Sequence, residues 1–187
     1  REQNQIHMVA ENPDELGEKR MAVGPVDYPD DIGTHVRDPK ILEHDGIYYM
    51  VLGARTKDDR GCVLVYTSRD LEDWGYATRI ELGEKFGFMW ECPGYLELEA
   101  DCGVPAKFLS FSPQGLEGGR WDRGNVYAAG YMPVTGDITG DKDAYDLGEF
   151  RLWDAGFDFY APQEFTAEDG RHILIGWMGM PLSLIHI

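Results

Sequence analysis

The chain has 187 residues, about one domain's worth, with 43% hydrophobic and 12% aromatic residues, so it can bury a core and is not a disordered chain. Its 34 acidic residues against 17 basic ones give a formal charge of -17, which argues against nucleic acid and anionic membrane surfaces as partners. The simple reading of that charge is solubility. With 23 Gly and 10 Pro, the composition favours short strands and many turns over long helices.

The three cysteines, Cys62, Cys92 and Cys102, are odd in number and form no CxxC pair, and there is no Asn-x-Ser/Thr sequon. That pattern points to a reducing compartment, and a cytoplasmic location is expected. His7, His35, His44, His172 and His186 show no metal-ligand spacing, so no metal site is expected. GxSxG, P-loop and GxGxxG patterns are absent, and the acidic run 137–146 lacks the spacing of a calcium loop. The longest uncharged run, residues 173–185, is too short to span a bilayer. The sequence opens on a polar segment without Met, so it reads as part of a longer protein.

Residues 1–34 look irregular, with short strands expected at 5–9 and 20–23. From there the pattern tightens. Residues 47–54 are rich in aromatic and β-branched types and follow a turn at His44-Asp45-Gly46, so they predict a strand. Residues 62–67 predict a second strand, and 68–74 a turn anchored by Trp74. No segment sustains a 3.6-residue apolar period for three turns.

Three segments share one layout: a residue pair ending at Pro, a short apolar strand, an acidic turn with Gly, and a second apolar strand. They begin at Arg37-Asp38-Pro39, Glu91-Cys92-Pro93 and Tyr160-Ala161-Pro162, with turn glycines Gly46, Gly103 and Gly170. The prolines are 54 and 69 residues apart and the glycines 57 and 67. Each repeat has room for about four short strands, which predicts an all-β chain built of β-propeller blades, ahead of a β-sandwich with fortuitous prolines. The inner strands of a propeller all start at one end of the central channel. Arg37, Asp38, Glu91, Cys92, Tyr160 and Ala161 would therefore converge at one mouth. Two carboxylates, an arginine and a tyrosine at one place suit glycosidic bond cleavage, which needs one carboxyl to protonate a leaving oxygen and others to stabilise an oxocarbenium-like centre.

At these residues the chain resembles glycoside hydrolase family 32, the invertases, fructanases and sucrose-6-phosphate hydrolases. The markers are Arg37-Asp38-Pro39, Trp90-Glu91-Cys92-Pro93, Asp158-Phe159-Tyr160-Ala161-Pro162-Gln163 and Gly176-Trp177-Met178, supported by Asp45-Gly46-Ile47-Tyr48-Tyr49-Met50 and Phe111-Ser112-Pro113-Gln114-Gly115. The resemblance implies a five-bladed propeller followed by a β-sandwich, and hydrolysis of terminal β-D-fructofuranosyl bonds by retaining double displacement. The substrate would be a small sugar, sucrose or sucrose 6-phosphate, and no cofactor would be needed, because protonation and carboxylate attack suffice. The nucleophile motif of the family, an Asn-Asp-Pro-Asn-Gly type, has no match before Arg37. Residues 1–181 are therefore expected to hold about blades two to four of the catalytic domain, inactive alone, with the nucleophile upstream. Residues 182–187 do not continue the family's pattern and are expected to be a non-native tail.

Each candidate residue has a functional and a plain reading. Glu91 is the expected general acid/base, its flanking Trp90 and Cys92 giving an apolar setting; the plain reading is a solvent-facing strand end. Asp38 is the expected transition-state stabiliser, or the maker of an Asp-Pro turn. Arg37 would bind sugar oxygens and hold carboxylates, or form a surface ion pair. Tyr160 and Trp177 would line the sugar subsite, or pack in the core. Asp158 would bind the sugar, or cap a turn. Competing functions are a fructan hydrolase, a fructosyltransferase and a carbohydrate-binding propeller without turnover.

Overall fold

The computed structural model describes residues 3–12, 14–99, 103–116, 127–138, 144–156 and 158–179. The tail at 182–187, Cys102 and the middle of the acidic run 137–146 lie outside them. The described residues form strands β1 (Gln5–His7), β2 (Arg20–Val23), β3 (Ile32–His44), β4 (Ile47–Thr56), β5 (Gly61–Ser68), β6 (Gly75–Ile80), β7 (Met89–Glu99), β8 (Pro105–Gln114), β9 (Gly130–Gly136), β10 (Tyr145–Leu147), β11 (Arg151–Leu152), β12 (Tyr160–Thr166) and β13 (His172–Trp177). The only helical element among them is a three-residue 3₁₀ turn, Pro25–Asp27. The chain is all-β, and among the described residues no helix is long and apolar enough to cross a membrane.

Every pairing of these strands is antiparallel, and all but the β11–β9 pair join strands consecutive in the chain. β1 pairs with β2, β3-β4-β5-β6 form a four-stranded meander, and β7-β8-β9-β10 form a second sheet with β11 also on β9. β12 and β13 make a hairpin. The β3–β4 connection shows the local logic. His44 pairs with Ile47 across a two-residue loop, and both loop residues, Asp45 (φ 51) and Gly46 (φ 72), are left-handed. That is the hairpin turn whose twist matches the strands, and Asp-Gly is a sequence suited to it. β3 starts at Ile32, five residues before the Arg37-Asp38-Pro39 motif that marks it in the sequence.

The β3–β6 meander is covered on both faces, which explains why β4 and β5 read as nearly unbroken apolar runs and not as alternating ones. Tyr49, Val51, Val63 and Val65 face one way, into a core shared with Trp90, Tyr95, Leu109 and Phe111 of the next sheet. Met50, Leu52, Leu64 and Tyr66 face the other way, against Val23 and Val36. Side-chain bonds fasten the N-terminal segment there: Gln5 Nε2 donates to the Val36 carbonyl (3.0 Å), and Val36 N–H donates to Gln3 Oε1 (3.1 Å).

The contact between the two large sheets is close because two glycines line it. Trp90 is fully buried, stacks on Phe111 with ring centres 4.3 Å apart, and donates its indole N–H to the Phe86 carbonyl (2.7 Å). A Cβ at Gly53 would lie 2.0 Å from the Trp90 carbonyl oxygen, and one at Gly61 would lie 2.3 Å from Trp90 Cδ1. Gly53→Ala must therefore part β4 from β7 or bend one of them. It should cost about 1–3 kcal/mol, the usual range for overpacking. A urea denaturation midpoint below wild type at unchanged m would show this; an unchanged midpoint would mean that the sheets part freely.

Candidate functional site

The three proline motifs fold in the same way. The ladder shifts register between Arg37 and Lys40, between Glu91 and Gly94, and between Tyr160 and Gln163. In each case the residue just before Pro is left-handed: Asp38 (φ 60), Cys92 (φ 48) and Ala161 (φ 47). None is glycine, so each conformation is strained, at a cost of order 1–3 kcal/mol. Proline lacks an N–H, which suits it to a point where the ladder is already broken. The shared shape presents the residue before each strained position, Arg37, Glu91 or Tyr160, to a common point.

Glu91 is the centre of that point. Arg37 Nε (3.0 Å) and Nη2 (2.5 Å) both donate to Glu91 Oε1. Gln114 Nε2 donates to Oε2 (2.8 Å), and the Tyr160 hydroxyl makes a short hydrogen bond to the same oxygen. Four donors from β3, β8 and β12 thus meet one carboxylate on β7, which is part-buried with 15% of its side chain exposed. Charge-assisted bonds of this kind are among the stronger ones and fix orientation as well as energy. Burial, and then the Glu91 carboxylate, push the Tyr160 phenol well above its ordinary value. The hydroxyl therefore stays protonated and able to donate.

Asp38 stands beside Glu91 through Cys92. Asp38 Oδ2 accepts the Cys92 backbone N–H (3.0 Å) and lies 3.7 Å from Cys92 Sγ. One strained turn thereby braces the next. Burial first, then the Asp38 charge, push the Cys92 thiol up to about 12, and burial pushes Cys62 up to about 12 as well. Both are therefore thiols at neutral pH, and thiols are poor nucleophiles. At pH 8, iodoacetamide should leave both unlabelled in the folded protein and label both in urea, as read by peptide mass mapping. Rapid labelling of folded Cys92 would show an open, thiolate-bearing site.

Trp177 is the ladder partner of Tyr160 and is 71% exposed. Asp158 is buried two residues before Tyr160. The sequence motifs do not single out the other members of the cluster. Gln114 sits in the Phe111-Ser112-Pro113-Gln114-Gly115 run, whose presence was the available signal. Tyr127 packs on Tyr160 with ring centres 5.3 Å apart, and His35 Nδ1 lies 3.2 Å from Arg37 Nη1. The apolar setting expected for Glu91 from its neighbours is not what surrounds it. Successive strand residues point to opposite faces, so Trp90 turns into the core while Glu91 meets the polar groups of facing strands.

A carboxylate held in place by arginine, glutamine and tyrosine, with a second carboxylate hydrogen-bonded to the backbone N–H of the next residue, has the paired carboxyl groups that glycosidic cleavage requires. The family model of the glycosyl hydrolases family 32 N-terminal domain matches residues 1–184, and the chain belongs to that family. It is 39% identical over 158 residues to a sucrose-6-phosphate hydrolase of Bacillus subtilis, covering 82% of this chain and 32% of that protein. It is also 39% identical over 179 residues to one of Klebsiella pneumoniae, covering 93% and 36%. Among solved structures, the sucrose-6-phosphate hydrolase of Lactobacillus gasseri superposes with a TM-score of 0.77 at 30% identity, covering 95% of this chain and 36% of that one. A mutant Bombyx mori β-fructofuranosidase in complex with sucrose does so at 0.67 and 32%, covering 89% and 35%. The chain spans about a third of the length of the curated relatives it matches.

Proposed function

We propose that the protein to which this chain belongs hydrolyses terminal β-D-fructofuranosyl bonds, in sucrose or sucrose 6-phosphate, by retaining double displacement. The observation that carries this is Glu91, held by donors from three other strands at the start of β7. In the first step, the Glu91 carboxyl gives its proton to the glycosidic oxygen. The bond from that oxygen to the anomeric carbon breaks, and the carbon is taken by a second carboxylate. That nucleophile has no counterpart among these residues and, in this reading, comes from outside the sequence given. In the second step Glu91, now ionised, takes a proton from water as the water oxygen bonds to the anomeric carbon, and the bond from that carbon to the second carboxylate breaks, releasing fructose.

The four donors match the ionised form of Glu91. Arg37 can only donate. The Tyr160 hydroxyl can also accept, as can the Gln114 amide oxygen if the amide turns over. The network therefore holds Glu91 with or without its proton. Asp38 and Arg37 would bind fructosyl hydroxyls and stabilise positive charge at the anomeric centre. Tyr160, Trp177 and Asp158 would complete the sugar subsite, with Trp177 offering an exposed aromatic face.

The same reading makes the β3–β6 sheet, the β7–β11 sheet and the β12–β13 hairpin successive blades, about the second to fourth, of a five-bladed propeller within a catalytic domain that includes residues 1–181. The face-to-face packing of the two large sheets and the matching bulges in β3, β7 and β12 support this. The unpaired cysteines favour the cytoplasm. Incubating the intact protein with sucrose and with sucrose 6-phosphate and assaying released fructose tests the reading. Release from the phosphorylated sugar is expected first, since the bacterial relatives are named for it. No release from either, nor from short fructans, overturns it.

A further inference from the structure

Just beyond the three bulges, Lys40 of β3 reaches β12. Its ammonium donates to the Glu164 backbone carbonyl and lies 3.3 Å from Glu164 Oε1. The two side chains are largely buried, at 23% and 10% exposed. The Glu164 carboxylate also fills the space beside Gly94 of β7, where a Cβ would lie 2.1 Å from Oε1. One ion pair therefore touches all three bulged strands within two residues of their prolines.

Its energetics argue against a simple stabilising role. Burial raises the Glu164 carboxyl above its ordinary value, and Lys40 pulls it back. The one ammonium serves both ends of Glu164, donating to its backbone carbonyl and standing 3.3 Å from its carboxylate Oε1, so the pair is fixed in direction as well as in charge. A buried ion pair usually does no better than apolar residues of similar volume, so placement is the more natural use for it. What it places is visible in the chain. Glu164 is four residues after Tyr160 on β12, and Lys40 three after Arg37 on β3.

We propose that Lys40 and Glu164 are a positioning pair: by holding β12 against β3 across Gly94, they keep the Tyr160 hydroxyl on Glu91. The proposal rests on Glu91 being the acid/base, and it makes Lys40 act through a residue it does not touch.

A double-mutant cycle in the intact protein tests it, using Lys40→Met, Tyr160→Phe and the pair together, with kcat and KM on sucrose 6-phosphate and sucrose. Lys40→Met should lower kcat roughly tenfold, a part of what acid–base help is typically worth, with KM within about twofold. Tyr160→Phe should cost a similar factor. The double variant should be no more than about twofold worse than the poorer single one, since both remove the same contact. A Lys40→Met enzyme with wild-type kcat, or penalties that multiply, overturns the proposal and leaves the pair a plain strand tether. Should Lys40→Met fail to fold, Glu164→Gln takes its place in the same cycle. Wild-type protein that releases no fructose would instead count against the hydrolase reading. The positioning claim then stands or falls on the tyrosine Cζ ¹³C resonance of Tyr160, which should move in the Lys40 variant and overturns the claim if it does not.

Discussion

Glu91→Gln should lower turnover of sucrose-type substrates by about 10²–10⁴-fold, the usual worth of general acid–base help. Gln is nearly isosteric and keeps an oxygen to accept from Arg37, so the clasp around position 91 should survive and thermal stability should stay close to wild type. What is lost is the proton. Departure of a sugar alkoxide needs that proton, so sucrose and sucrose 6-phosphate should suffer most. An aryl fructoside, whose leaving group departs with little help, should keep much of its first step and show a burst of released phenol. Its second step, in which a base must take a proton from water, should stay slow. Fructose assays on the natural sugars beside a burst measurement on the aryl substrate separate the steps. Undiminished sucrose turnover would remove Glu91 from the mechanism.

How Glu91 comes to be so held was legible in part. The recurring prolines placed Arg37-Asp38, Glu91-Cys92 and Tyr160-Ala161 at equivalent positions, because a proline tolerates a broken ladder and repeats break it in the same place. The motifs did not say which member of each pair faces the common point. That depends on the left-handed turn at Asp38, Cys92 and Ala161, which local preference disfavours and which the surrounding strands must impose. Gln114, Tyr127 and Glu164 escaped for a related reason: each meets its partner from a part of the chain distant in sequence, Gln114 across the β7–β8 ladder, Tyr127 from just before β9, and Glu164 from β12. The inner strands of each sheet carry strong apolar runs and could be read. β9, β10 and β11 follow linkers of uneven length and have short, weakly patterned sequences, so no local signal marked them.

The strain at the three bulges also separates the structural role of Asp38 from the catalytic role proposed for it. At φ 60 it occupies a conformation that asparagine tolerates as well as aspartate does, and alanine tolerates poorly. Its Oδ2 accepts the Cys92 backbone N–H, a bond that the amide oxygen of asparagine can also accept. Asp38→Asn should therefore keep the turn and the brace and lose only the charge. Activity should fall by about 10²–10³-fold, the size seen when one preorganised electrostatic group is removed. The loss should be alike for sucrose 6-phosphate and the aryl fructoside, because charge at the anomeric carbon develops whatever leaves. Asp38→Ala should lose that activity and also lower the melting temperature, since it gives up the brace and keeps an unfavourable φ. The pattern across both substrates and both variants is the test. An Asp38→Asn enzyme that spares the aryl fructoside would make Asp38 an assistant to the leaving group. One that melts as low as Asp38→Ala would make it structural. Equal losses on the two substrates with an unchanged melt leave it as the charge that faces the sugar cation.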